Sequence, residues 1–172
     1  MNYVAVIGTG IMAAGIAAGF LAQSIPVVIL GRSKDKADTC LDKALALAQK
    51  IGINGAYASQ SQEAIKAEQK TEVLESWSNW NGCNWVIETV AENLALKQEI
   101  FQYLDERVPA HIPIGSNSSG FPISKIAFGL KTANRMMGAH YFMPAEVVPL
   151  VEVVMGEKTE LVFAEQACAL YK

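Results

Sequence analysis

A doubly wound α/β domain on a largely parallel sheet is the fold class predicted by these 172 residues. Short apolar runs alternate with helical stretches along the whole length. The first run passes directly into a glycine-rich turn and a small-residue helix, and no repeat or low-complexity linker interrupts the alternation. One domain, residues 1–172, is expected, since a chain this long and 51% hydrophobic can bury a sizeable core.

In order, Val4 to Ile7 reads as a buried strand and Ile11 to Ala22 as a helix of small residues. Pro26 to Leu30 is the second strand, and Lys34 to Lys50 a helix with Leu41, Leu45 and Ala48 on one face. Gly52 to Gly55 forms a turn, and Ser59 to Gln62 reads as a capping box opening a short helix. Thr71 to Leu74 is a strand; the irregular stretch Ser76 to Gly82 is expected to lay its tryptophans over the sheet edge. Strands at Asn84–Thr89 and Ile112–Gly115 flank a helix over Leu94–Arg107. A short helix follows at Pro122–Phe128, then strands at Arg135–His140 and Leu150–Val154, and a last helix capped by Thr159.

The turn reads Gly8-Thr9-Gly10-Ile11-Met12-Ala13, a G-x-G-x-x-A. Gly8 permits the tight turn, Gly10 admits a pyrophosphate to the backbone, and Ala13 with Gly15 lets helix and strand pack closely. The amides opening the helix, at Ile11, Met12 and Ala13, are then free for an anion. A strand before the motif and a helix after it give the context that dinucleotide binding requires; the alternative is a structural turn. The second strand ends in Gly31-Arg32-Ser33-Lys34, with no acid to bind a ribose 2′-hydroxyl. Arg32 and Ser33 suit a 2′-phosphate instead, so the reading leans to NADP(H) over NAD, although Asp35 and Asp38 are near and Ser33 also suits a helix cap.

A net charge of −3 offers no basic field for nucleic acid, and no apolar run approaches the ~20 residues that span a bilayer. The chain enters its first strand without a basic leader, so a cytoplasmic protein is expected. Cys40, Cys83 and Cys168 are read as small buried hydrophobes, and no metal site is expected.

His140 and Glu152 stand twelve residues apart, each in or beside a short apolar run, with Pro144 and Pro149 between them. That spacing rules out one helix face, but a chain that turns back between two strands brings imidazole and carboxylate together. A carboxylate on one ring nitrogen leaves the other as a general base. The bland alternative is a half-buried histidine beside a solvated glutamate. Ser116 to Gly120 is a polar loop after a buried strand, where open α/β sheets bind ligands.

Taken together, Gly8 to Ala17, Val86 to Asn93, Lys97, Ser116 to Ser119, Gly138 to Phe142 and Pro149 to Val154 resemble, in order, the N-terminal Rossmann-type domain of L-3-hydroxyacyl-CoA dehydrogenases. The resemblance covers nearly the whole chain. It implies that His140 is the general base and Glu152 its partner, that Ser119 hydrogen-bonds the substrate's 3-oxygen, and that Asn117 lines the nicotinamide and substrate site. Glu92 and Lys97 would contact the nicotinamide side and ribose of the cofactor. Glu88 reads as a structural carboxylate. The substrate implied is a 3-hydroxyacyl-CoA or related 3-hydroxy acid.

Two departures stand out. Met143 replaces the polar residue, commonly asparagine, of the family's His-x-x-Asn-Pro. The mostly helical second domain, which in the family covers the active site and forms a homodimer, is absent from these residues. The chain therefore reads as an isolated domain or fragment with poor turnover of its own and an incomplete sheet. A non-catalytic, crystallin-like dinucleotide binder is the alternative, and retention of both His140 and Glu152 favours the enzyme.

Overall fold

The computed structural model describes residues 2–171. The elements run β1 (Tyr3–Ile7), α1 (Ile11–Ala22), β2 (Val27–Gly31), α2 (Lys34–Ile51), α3 (Gln62–Glu68), β3 (Lys70–Val73), β4 (Cys83–Glu88), α4 (Leu94–Arg107), β5 (Ile114–Ser116), α5 (Ile123–Ile126), β6 (Met136–Tyr141), β7 (Val151–Met155) and α6 (Leu161–Leu170). The sheet order is β3-β2-β1-β4-β5-β6-β7. Every pairing is parallel except β6–β7, which is antiparallel.

The inner strands β1, β2, β4, β5 and β6 are largely buried on both faces because helices cover both. Val4, Val6, Val27, Ile29, Trp85, Ile87, Met137 and Ala139 join α1, α2 and α6 in one core. The intervening residues Tyr3, Ala5, Ile7, Val28, Leu30, Val86, Ile114 and Met136 face α4 and α5 in a second. Gly115 of β5 is needed at the centre: a Cβ there would come within 2.6 Å of the Trp85 ring and 2.8 Å of the Ala139 methyl. Nine of the twelve α1 residues are buried, which explains their small size: larger side chains would hold the helix off the sheet.

Local chemistry departs from expectation in several places. Ser61, not Ser59, caps α3, accepting from the Ala64 amide at 3.2 Å. Ser33 occupies the N-cap position of α2 but its side chain makes no cap hydrogen bond. Thr159 does not cap α6; its hydroxyl donates to the Met136 carbonyl at 2.6 Å and accepts from the Gly156 amide, tying the turn after β7 to β6. The α5 helix is shorter than expected, and β5 begins at Ile114 because Arg135 holds the preceding turn. The 76–82 stretch crosses a sheet face and not its edge, with Trp80 buried in the second core and Trp77 edge-on to Tyr3. Cys40 and Cys83 are buried as expected, whereas Cys168 is exposed on the outer side of α6. Val154 and Met155 on the outermost strand and Leu161 and Val162 on α6 are exposed.

Arg135 is fully buried below β5 and β6. Its guanidinium donates to the carbonyls of Ile112 (2.8 Å), Val108 (3.0 Å), Pro109 (3.1 Å) and Leu104 (3.5 Å), and its Nε to the Thr132 hydroxyl (2.8 Å). It thus closes the C-terminal turn of α4. Burial lowers its pKa to about 10 against the opposing charge of Asp105. Arg135→Met should reduce unfolding free energy by about 2–4 kcal/mol, because several buried carbonyls lose their donor at once. A urea titration whose midpoint drops at constant slope would show this, and a loss below about 1 kcal/mol would mean that water replaces the guanidinium.

Candidate cofactor and catalytic site

All but two of the residues singled out from the sequence converge on the carboxyl edge of β1, β4, β5, β6 and the facing end of β7. The chain order reverses between β1 and β4, and open α/β sheets bind ligands in the crevice at such a switch point.

Gly8 leaves β1 with φ +121°, and a Cβ there would lie 2.5 Å from Thr89 Oγ1, whose hydroxyl donates to the Ile7 carbonyl. Only glycine suits both the dihedral and the contact. Gly10 is the N-cap of α1 and supplies no side-chain cap; a Cβ there would meet nothing within 4 Å. Backbone amides from Ile11 to Ala13 therefore open onto free space, with no acid in the first turn to repel an anion. This cradle fits a dinucleotide pyrophosphate.

Beside it, β2 ends at Gly31, where a Cβ would press within 2.7 Å of the Thr9 methyl group. A side chain at position 31 would require the Thr9 methyl to move aside. Arg32 is exposed and Ser33 half-buried next to it. Asp38 is engaged by Lys34 (2.7 Å) and by the Thr71 hydroxyl, and these bonds hold its carboxyl below the usual range. Arg32 and Ser33 lie apart from His140 by four strand spacings, about 19 Å.

Glu88 ends β4 with no solvent exposure and Lys97 of α4 retains 1%. The Lys97 ammonium lies 2.9 and 3.1 Å from the two Glu88 oxygens, 3.3 Å from the Val90 carbonyl and 3.4 Å from Glu92. Glu88 also accepts from the Ser116 hydroxyl (2.6 Å) and the Val90 amide (2.6 Å), so its structural reading agrees with its surroundings. Glu92 reaches across to the next loop, accepting from the Ser118 hydroxyl (2.5 Å) and the Gly120 amide (2.9 Å). Partial burial works against its ionisation, but those two bonds and Lys97 outweigh it and hold the carboxyl below the usual range. Ser119 stands exposed in the same turn. The Asn117 amide donates to the Glu88 carbonyl at 2.8 Å.

His140 of β6 pairs directly with Glu152 of β7 across the antiparallel ladder. Nδ1 is 2.9 Å from Glu152 Oε2, and the Phe142 ring lies 4.7 Å away, centroid to centroid. With Nδ1 engaged by Glu152, Nε2 is the ring nitrogen available to a reactant. Met143, where the sequence resemblance implies a polar residue, is exposed in the loop that follows. Sequence reasoning assigned no role to Ser116 or Ser118 and did not pair Glu88 with Lys97. The clue was present, since Glu88 closes the apolar run Trp85-Val86-Ile87 nine residues before a lysine.

A family model described as 3-hydroxyacyl-CoA dehydrogenase, NAD binding domain, matches residues 3–172. The chain belongs to the 3-hydroxyacyl-CoA dehydrogenase family. Among relatives, the peroxisomal fatty acid β-oxidation multifunctional protein MFP2 of Arabidopsis thaliana is 33% identical over 91% of this chain and 21% of its own length. The fatty acid oxidation complex subunit alpha of Shewanella halifaxensis is 33% identical over 92% of this chain and 22% of that protein. The crystal structure of 3-hydroxybutyryl-CoA dehydrogenase from Escherichia coli superposes with a TM-score of 0.85 at 30% identity, over 99% of this chain and 36% of that one. The chain thus spans about a fifth of these relatives' length and about a third of the solved enzyme's. The Rossmann-type domain of the 3-hydroxyacyl-CoA dehydrogenase family is therefore the part in hand, and a nicotinamide dinucleotide is its cofactor class. The family description names NAD, so the lean to NADP(H) finds no support there. Since a plant relative is peroxisomal, membership does not imply the cytoplasm expected from the sequence. Among the described residues no helix is long and apolar enough to cross a membrane, and no cluster of potential metal ligands occurs.

The Glu92 bridge carries a pH prediction. Its folded-state pKa is depressed, so its contribution is present above the unfolded carboxyl pKa and lost as pH falls through the folded value. Protection of the Gly120 amide from hydrogen exchange, corrected for intrinsic rate, should hold near neutrality and fall in acid. Glu92→Ala should remove that dependence, and an unchanged acid fall in the variant would assign it elsewhere.

Proposed function

We propose that this domain is the cofactor-binding half of an oxidoreductase of fatty acid metabolism, acting between a 3-hydroxyacyl-CoA and its 3-ketoacyl form. The observation that carries the reading is the cross-strand His140–Glu152 pair at 2.9 Å, at the sheet edge where the glycine turn opens. A bound nicotinamide would supply the hydride transfer at the substrate's C3. His140 Nε2 takes the 3-hydroxyl proton in oxidation and donates it in reduction. Glu152 at Nδ1 holds the tautomer and stabilises the imidazolium that forms. Ser119, exposed in the neighbouring loop, donates to the 3-oxygen as negative charge develops there. Glu92 would contact the nicotinamide side and ribose, while Lys97, buried against Glu88, holds that carboxylate in place, and Asn117 stands behind His140 at the tip of β6. Met143 presents a thioether where the family pattern has a polar group, so the acyl portion meets a more apolar wall. Turnover also requires a water-excluding wall opposite His140, the task of the family's helical second domain, which forms its homodimer as well. These 172 residues alone should bind dinucleotide and turn over little.

In the protein at its natural length, His140→Ala should abolish acetoacetyl-CoA reduction, followed at 340 nm, with cofactor affinity nearly unchanged. Glu152→Gln should slow it by more than ten-fold but less than loss of the base. Near-normal rates for His140→Ala would refute the dyad.

Arg32 and Ser33 set the preference between NADP(H) and NAD(H) in this reading, with NADP(H) favoured. Fluorescence titration of this chain should show NADPH binding more tightly than NADH. Arg32→Ala should weaken NADPH alone, by about ten-fold for one lost charged contact. Tighter NADH binding, or equal weakening of both, would reduce Arg32 and Ser33 to the start of α2.

A further inference from the structure

The two flanks of β6 are held unequally. On the β7 side the ladder runs from Met137 through Tyr141. On the β5 side it stops at Ser116 opposite Gly138, because β5 has only three residues. Ala139, His140 and Tyr141 therefore run past the end of their parallel neighbour. A buried strand in this position would leave an amide without an acceptor. The Tyr141 amide instead donates to the Asn117 side chain at 2.9 Å. Since Tyr141 contributes an N–H, the group facing it is the amide oxygen of Asn117, and only the Nδ2 end remains for a ligand.

The two supports of His140 also differ in rigidity. Glu152 grips the ring from β7, the outermost strand, and is itself half-exposed. Asn117 grips the adjoining peptide from the interior of the sheet, its own amide bonded to the carbonyl of fully buried Glu88. We infer that Asn117 is a positioning residue for His140: its side-chain oxygen replaces the backbone acceptor that short β5 lacks and fixes the direction of Nε2. This deepens the proposed function and rests on His140 as the base. It also assigns the working end of Asn117 to Oδ1, whereas a pocket-lining role would use the Nδ2 donor.

Asp and Ala at position 117 separate the two ends of the amide, because aspartate keeps the acceptor and has no donor. By NMR on this chain, Asn117→Ala should raise Tyr141 amide exchange by about ten-fold, the scale of one lost hydrogen bond, while Asn117→Asp should stay near wild type. In the natural-length protein, Asn117→Ala should lower kcat by about ten-fold with little change in KM for acetoacetyl-CoA, and Asn117→Asp should recover most of that kcat. Wild-type protection of Tyr141 in Asn117→Ala overturns the inference. So does loss of kcat in Asn117→Asp equal to that in Asn117→Ala while Tyr141 stays protected, since the Nδ2 donor would then be the working group. His140→Ala measured alongside separates the two levels. Near-normal turnover there defeats the reading of His140 as base and the kinetic half of this inference with it. Abolished turnover there, with Tyr141 protected in Asn117→Ala, defeats the inference alone.

Discussion

The Glu88 carboxylate, buried at the end of β4, gathers the Lys97 ammonium, the Ser116 hydroxyl and the Val90 amide around its two oxygens. Each bond ties a different element to the middle of the sheet: α4 through Lys97, β5 through Ser116, and the turn after β4 through Val90. Measured against an apolar isostere such a buried pair contributes little net stability, but deleting one partner leaves an uncompensated charge, typically at about 3–5 kcal/mol. Its effect is therefore on geometry. From Lys97 the network passes to Glu92 and the 118–120 turn, and from the Glu88 carbonyl to Asn117 and the tip of β6.

The one antiparallel pairing determines what that edge can do chemically. Parallel neighbours are joined by long crossovers, and their facing residues come from distant parts of the chain. The return from β6 to β7 takes only residues 142–150, so His140 and Glu152 arrive opposite each other within a single ladder step. A one-residue slip would turn the carboxylate to the other face of the sheet. Register is held by Val151 and Val153 packing on the first core and by Thr159 bonding the turn after β7 to Met136.

The cofactor end follows from a steric argument confined to a few residues. Gly8 turns with positive φ against Thr89, and the methyl of the next residue, Thr9, borders position 31. No acid stands at the end of β2, and Asp38 of α2 is bound by Lys34 and Thr71.

Sequence alone determined the alternation of strands and helices, because burial on two faces demands continuous apolar runs such as Val4–Ile7 and Val27–Leu30, and a helix such as α2 carries its own apolar stripe. It also determined the glycine turn and the possibility of a His140–Glu152 encounter, since both are short-range facts of residue type and spacing. Caps were less legible: Ser59 and Thr159 carry suitable hydroxyls, but competition among nearby donors and acceptors gave those tasks to Ser61 and to the turn after β7. Only the tertiary structure decided that Glu88, Lys97 and Ser116 share one buried site and that Asn117 bonds Tyr141. Those contacts link positions up to 28 residues apart through strand order and strand length. Residue type says that a buried carboxylate or amide must find a partner; which partner it finds is settled by where the neighbouring strands end.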